Sequence, residues 1–98
     1  MGREYFIRRT DGEWFDFPIN RCEEVLRPAS FTSRTVKGWG DHRIEINGCE
    51  ISFSFEDPGI QVHFESDQFS EAEADQIVKE IAESIASHTG QYGRVVPL

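Results

Sequence analysis

The stretch His42-Arg43-Ile44-Glu45-Ile46, Asn47-Gly48, Cys49-Glu50-Ile51-Ser52-Phe53-Ser54-Phe55, Glu56-Asp57-Pro58-Gly59, Ile60-Gln61-Val62-His63-Phe64-Glu65 decides the fold. Three runs alternate apolar and polar residues, and two turn sequences separate them. Asn-Gly between alternating runs is a hairpin signal, because a two-residue type I′ turn needs positive φ at both positions. With Asn47 and Gly48 at the turn, Ile46 lies opposite Cys49, Ile44 opposite Ile51 and His42 opposite Phe53. The second connection, Glu56 to Gly59, has Pro and Gly where tight turns favour them. Read as a four-residue loop, it sets Phe55 opposite Ile60, Phe53 opposite Val62 and Ile51 opposite Phe64.

The two turns give registers that agree. Directly opposed residues share a face, so one face collects Ile44, Ile46, Cys49, Ile51, Phe53, Phe55, Ile60, Val62 and Phe64, with His42 at its margin. The other face carries Glu45, Glu50 and Glu65 in one row and Arg43, Ser52 and His63 in the next. Three carboxylates in a row repel mildly. They suit either a cation or basic partner, or a solvated face on which Arg43 and His63 are diagonal neighbours.

This meander needs a cover, and residues 70–88 supply a helix. Ser70 and Glu73 have the spacing of a capping box, with Phe69 and Ala74 placed for a hydrophobic staple. Ala74, Ile77, Val78, Ile81 and Ile85 recur at helical spacing, flanked by Ala82 and Ala86. Gly90 follows where a left-handed cap belongs. Beyond it, Gln91 to Leu98 reads as a short edge strand, since Pro97 suits an edge.

Earlier in the chain, residues 3–9 and 13–17 read as two strands across Asp11-Gly12. A two-residue turn there sets Phe6, Phe15, Phe17 and Arg8 on one face and Tyr5, Ile7 and Trp14 on the other. Both faces are partly apolar, so both are covered or the loop is longer. Asn20 and Glu23 resemble a capping box for a short helix over about 21–27, ended by Pro28. Gly38 and Gly40 mark a bulge or a close backbone approach before the meander. The expected fold is α+β: an antiparallel sheet of five to six strands in a single domain, residues 1–98, with a C-terminal helix on one face.

Composition narrows the function. The 98 residues are 38% apolar and 12% aromatic, enough for one core. No run approaches the roughly 18 apolar residues of a membrane span. The N-terminus lacks a signal-peptide hydrophobic region and has Phe6 where myristoylation wants Ser or Thr. The expectation is a soluble, cytoplasmic chain without membrane contact. Cys22 and Cys49 are too few for a disulfide framework and read as reduced.

Net charge is −8, unevenly spread. Residues 1–37 carry six acids and seven bases, a net of +1, whereas residues 38–98 carry twelve and three, a net of −9. An acidic half repels phosphate backbones, which argues against nucleic acid, and attracts basic protein surfaces. The bases of the first part, Arg3, Arg8, Arg9, Arg21, Arg27, Arg34 and Lys37, are interleaved with acids and read as solvated.

Signals for chemistry are sparse. His42 and His63 fall on opposite sheet faces, and Cys49 lies about 13 Å from His42 along the ladder, too far to share zinc. His63 with Glu50 and Glu65 is the geometrically admissible metal set, but no paired-ligand spacing supports it. No nucleophile elbow, phosphate loop or dinucleotide fingerprint occurs. No cofactor is expected. The first functional reading is a non-enzymatic protein-binding module, of inhibitor, immunity-protein or adaptor type. It would meet a basic partner through Glu45, Glu50 and Glu65 on the sheet, Glu73, Glu80 and Glu83 as exposed helix acids, and Trp39 as an anchor. A second reading is a homo-oligomer, its dimer burying Tyr5, Ile7 and Trp14. A third is a small-ligand or metal-dependent enzyme around His63 and the glutamates.

Overall fold

A computed structural model describes residues 3–56 and 58–98; Met1, Gly2 and Asp57 lie outside the described residues. Six antiparallel strands form one sheet in the order β2-β3-β4-β5-β1-β6. In chain order they are β1 (Glu4–Arg9), β2 (Arg34–Thr35), β3 (His42–Ile46), β4 (Cys49–Glu56), β5 (Gly59–Phe64) and β6 (Gly93–Pro97). Two helices complete the fold, α1 (Cys22–Val25) and α2 (Glu71–Thr89).

The meander has the register its turns dictate. Ile46 pairs with Cys49, Ile44 with Ile51 and His42 with Phe53; across the next ladder Ile51 pairs with Phe64, Phe53 with Val62 and Phe55 with Ile60. Asn47 and Gly48 have φ of 50° and 85°, the two positive values the turn requires. The second ladder runs on to Glu56 and Gly59, so these expected loop residues are its last pair. Of the nine apolar side chains eight are buried, and Phe55 is half-buried with its ring edge-on to Phe17. Burying each large one stabilises by roughly 1.5–3 kcal/mol. A one-residue slip would therefore forfeit as much as a small domain's whole stability of about 5–15 kcal/mol.

The expected first hairpin does not form. Asp11-Gly12 does make a turn, with Gly12 at φ 79° and its N–H donating to the Arg9 carbonyl at 3.1 Å. The chain then leaves the sheet, and residues 13–18 form no strand. Both edges of β1 are taken by distant partners, β5 on one side and β6 on the other. Those pairings bury Tyr5 and Ile7 on the inward face, which a local hairpin partner alone could not do. Gln91 stands in for the missing strand neighbour, accepting the Asp16 N–H and donating to the Asp16 carbonyl, both at 2.7 Å. Phe15 is buried, while Trp14 is 54% exposed rather than core. Tyr5 and Ile7 belong to the chain's own core and are not open to a second copy.

Helix α2 begins at Ser70, whose hydroxyl accepts the Glu73 N–H at 3.1 Å while the Glu73 carboxylate accepts the Ser70 N–H at 2.9 Å. It ends at Gly90, with φ 75°. Ala74, Ile77, Val78, Ile81 and Ile85 are buried, as is Phe69, whose ring sits edge-on to Phe31 and Phe64. The expected helix over 21–27 is shorter. A 3₁₀ turn at Ile19–Arg21 leads into α1 without an Asn20 cap, and Leu26 leaves the helix at ψ 67°, ahead of Pro28. Cys22, Val25 and Leu26 close one end of the core. Strand β6 is an edge. The Leu98 N–H donates to the Glu4 carbonyl at 2.9 Å, so by alternation Pro97 turns its missing donor outward.

Candidate interaction surface

The outer sheet face, opposite α2, carries Glu45, Glu50 and Glu65 in the expected row, with Glu45 directly across from Glu50. Each carboxylate has a cationic partner. Arg34, on β2, reaches Glu45. Arg43 donates through Nε to Glu50 at 2.6 Å and through a terminal nitrogen to Glu65. Its side chain is only 10% exposed. His63 lies 3.4 Å from Glu65 and 3.8 Å from Glu4. The row is thus an ion-pair network in which one guanidinium joins two strands.

The segment after β2 folds back across this network. The Val36 N–H donates to the Arg43 carbonyl at 3.0 Å. Gly38 passes so close that a Cβ would lie 2.4 Å from Arg43 Cδ. At Gly40, φ is 98° and a Cβ would lie 3.0 Å from the Phe53 carbonyl. Close backbone approach is therefore the role of both glycines. Asp41 ties the segment down, its N–H donating to the Phe53 carbonyl and its carboxylate accepting the Phe55 N–H, both at 2.8 Å. Between the glycines, Trp39 stands 62% exposed with its ring centroid 5.9 Å from Arg43 Cζ and 6.2 Å from the His63 ring.

The helix acids are divided. Glu83 is exposed, and Glu73 is exposed but engaged in the capping box. Glu80 is not an exposed acid: it is 6% exposed, accepting the Ser30 N–H at 2.7 Å and the Gln76 amide at 2.5 Å. Gln76 first, then the Ser30 N–H, hold its carboxyl below the ordinary carboxylate value. The residue lies beside the apolar stripe and fastens the loop after α1 to α2. Since α2 covers the inner face, Glu73 and Glu83 look away from Trp39 and the Glu45 row. One small footprint cannot include both sets.

The alternative chemistry meets specific geometry. Between Glu50 and Glu65 sits the Arg43 guanidinium, in the space a cation would need. Among the described residues, no three His, Cys, Asp or Glu side chains are grouped to share an ion. His42 is half-buried beside Phe53, and burial lowers its pKa. Both cysteines are free and buried, and burial pushes the Cys22 thiol up to about 11, far from a reactive thiolate. A groove of about 660 Å³ between α1, its following loop and α2, lined in part by Arg27, Phe31, Ser33, Glu83 and His88, carried no sequence signal.

No family model, curated protein or solved structure matches this chain. Among the described residues no helix is long and apolar enough to cross a membrane.

Proposed function

We propose that this protein is a non-enzymatic protein-binding module, of inhibitor, immunity-protein or adaptor type, that meets a basic partner with the outer sheet face around Trp39. The observation that carries the reading is an indole left 62% exposed while the groups beneath it are held by ion pairs. Tryptophan anchors of this kind dominate interface energetics when a partner desolvates them. Pre-ordering of Arg43, Glu50 and Glu65 lowers the entropy cost of association. The charge of −8 adds long-range attraction, with Glu23, Glu56, Glu71 and Glu83 forming no ion pair among the described residues.

The test is affinity capture at low and high salt with the wild type, Trp39→Ala and Glu83→Lys. A basic protein retained by the wild type, released by salt and lost from Trp39→Ala supports the outer face. Loss with Glu83→Lys alone would transfer the contact to α2. Capture of no basic protein, or a complex indifferent to salt and to both substitutions, would end the proposal.

A further inference from the structure

At the far end of the outer face, away from Trp39, the register places Arg8 of β1 directly opposite Arg94 of β6. Both are exposed. Like charges opposed across an antiparallel ladder destabilise it, and their side chains share one face. The other strand arginines, Arg9, Arg34 and Arg43, each have a carboxylate within ion-pair distance. Arg8 and Arg94 have none among the described residues, in a chain with eighteen acids. Among the described strand arginines, the two that face each other are the two left uncompensated.

Their surroundings are shaped as well as charged. On the β5 side, the residue paired with Arg8 is Gly59, where a Cβ would lie 2.1 Å from the Ile7 carbonyl. No side chain therefore stands beside Arg8 on that strand. The facing acid of the same row, Glu56, is one strand further on. A cleft of about 150 Å³, room for roughly five waters, is lined by Arg8, Arg9, Thr10 and Arg94. Arg9 is already held by Asp11 and by the Trp14 carbonyl, so the cleft has one fixed wall.

We propose that Arg8 and Arg94 form a binding site for a tetrahedral oxyanion, phosphate in chemistry. A carboxylate has two oxygens and is satisfied by one guanidinium fork, whereas two forks lining one cleft match an anion with three or four. The bound anion turns the repulsive pair into a bridged one. The site shares no residue with the Trp39 surface, so either reading stands if the other fails.

Amide and arginine Nε–Hε shifts would be followed by NMR during titration with inorganic phosphate at constant ionic strength. Phenyl phosphate, acetate and chloride serve as comparison arms. Saturable shifts at Arg8, Thr10 and Arg94 are expected, with an affinity on the order of millimolar. Arg94→Gln and Arg8→Gln should each weaken it roughly tenfold while melting no lower than the wild type, since each removes one of two opposed like charges. Tighter saturation by phenyl phosphate would identify a phosphoryl group on a larger ligand as the source. Shifts that rise linearly, match those caused by chloride or acetate, or saturate in Arg94→Gln with the wild-type affinity would overturn the site. Both arginines are exposed; if one variant misfolds, the other still decides.

Discussion

Tyr5 and Asp75, seventy positions apart, meet through a 2.7 Å hydrogen bond from the phenol hydroxyl to a carboxylate oxygen. It fastens β1 to the first turns of α2, above the edge-on contact of Tyr5 with Phe64. Burial first, and then the bond to Asp75, push the phenol up to about 12 from 10.0. A folded-state pKa above the unfolded one means the fold favours the neutral phenol. That contribution is complete below about pH 10 and is lost as pH rises toward 12. Tyr5→Phe should cost about 1 kcal/mol at neutral pH and flatten the alkaline fall in stability. Urea unfolding of both proteins from neutral to alkaline pH measures both effects; an equally steep fall in the variant would contradict the assignment.

Glu80 gives the opposite sign. Its carboxyl is held below the usual 4.5. The ionised form is thus favoured by folding, and its contribution is present above the unfolded-state value and lost as pH falls through the lowered one. Glu80→Ala would leave the Ser30 N–H without its acceptor and release the loop after α1, at a cost of about 1–2 kcal/mol. Hydrogen exchange at Ser30 should accelerate, and the acid limb of the stability curve should shift. Unchanged exchange there would show that the loop does not depend on this carboxylate.

How far the sequence foretold this molecule depends on the range of the signal. Asn47-Gly48, the Glu56–Gly59 connection and the alternation around them specify the two central ladders, because turn geometry and a period of two leave one register that hides Ile51, Phe53 and Phe64. Ser70 and Glu73 likewise announce the start of α2. The Asp11-Gly12 signal was real as a turn but silent about the strand. Tyr5, Phe6 and Ile7 are all apolar, so alternation could not choose a face, and the choice fell to β5 and β6, more than fifty and eighty residues away. The acidic row was legible in position, with Arg43 and His63 as its diagonal neighbours, but its closure into one ion-pair network was not. Arg34 reaches Glu45 from a two-residue strand with no periodic signature, and Arg43 lies beneath a segment whose path two glycines determine. Glu80 departs from its expected exposure because charge at the edge of an apolar stripe ordinarily faces solvent, whereas here Ser30 comes from a loop to meet it.

Gly59 should be among the least tolerant positions. An added methyl would meet the Ile7 carbonyl at 2.1 Å, at the last pair of the β1–β5 ladder. The obstacle is backbone with strands on both sides, so it cannot swing away as a side chain would. Gly59→Ala should destabilise by roughly 3 kcal/mol, seen as a lowered urea midpoint. Gly48→Ala offers the contrast, since no atom lies within 4 Å of its Cβ and only the positive φ of 85° opposes it. A milder loss at Gly59 than at Gly48 would contradict the close approach.

Arg43 tests whether the outer face is one network or a set of independent surface pairs. Isolated exposed ion pairs contribute only about 0–1 kcal/mol, but this guanidinium is mostly covered and bonds two carboxylates on neighbouring strands. Arg43→Met keeps an apolar stem under Trp39 and leaves Glu50 and Glu65 facing each other without a cation. The expected loss is about 1–3 kcal/mol, partly recovered by added salt as repulsion is screened. Glu50→Gln in the Arg43→Met background should then cost less than Glu50→Gln alone, or even stabilise. A double-mutant cycle in urea measures that coupling. Coupling indistinguishable from zero would mean that Arg43 holds neither carboxylate in place, and that Trp39 rests on a mobile surface instead of an ordered one.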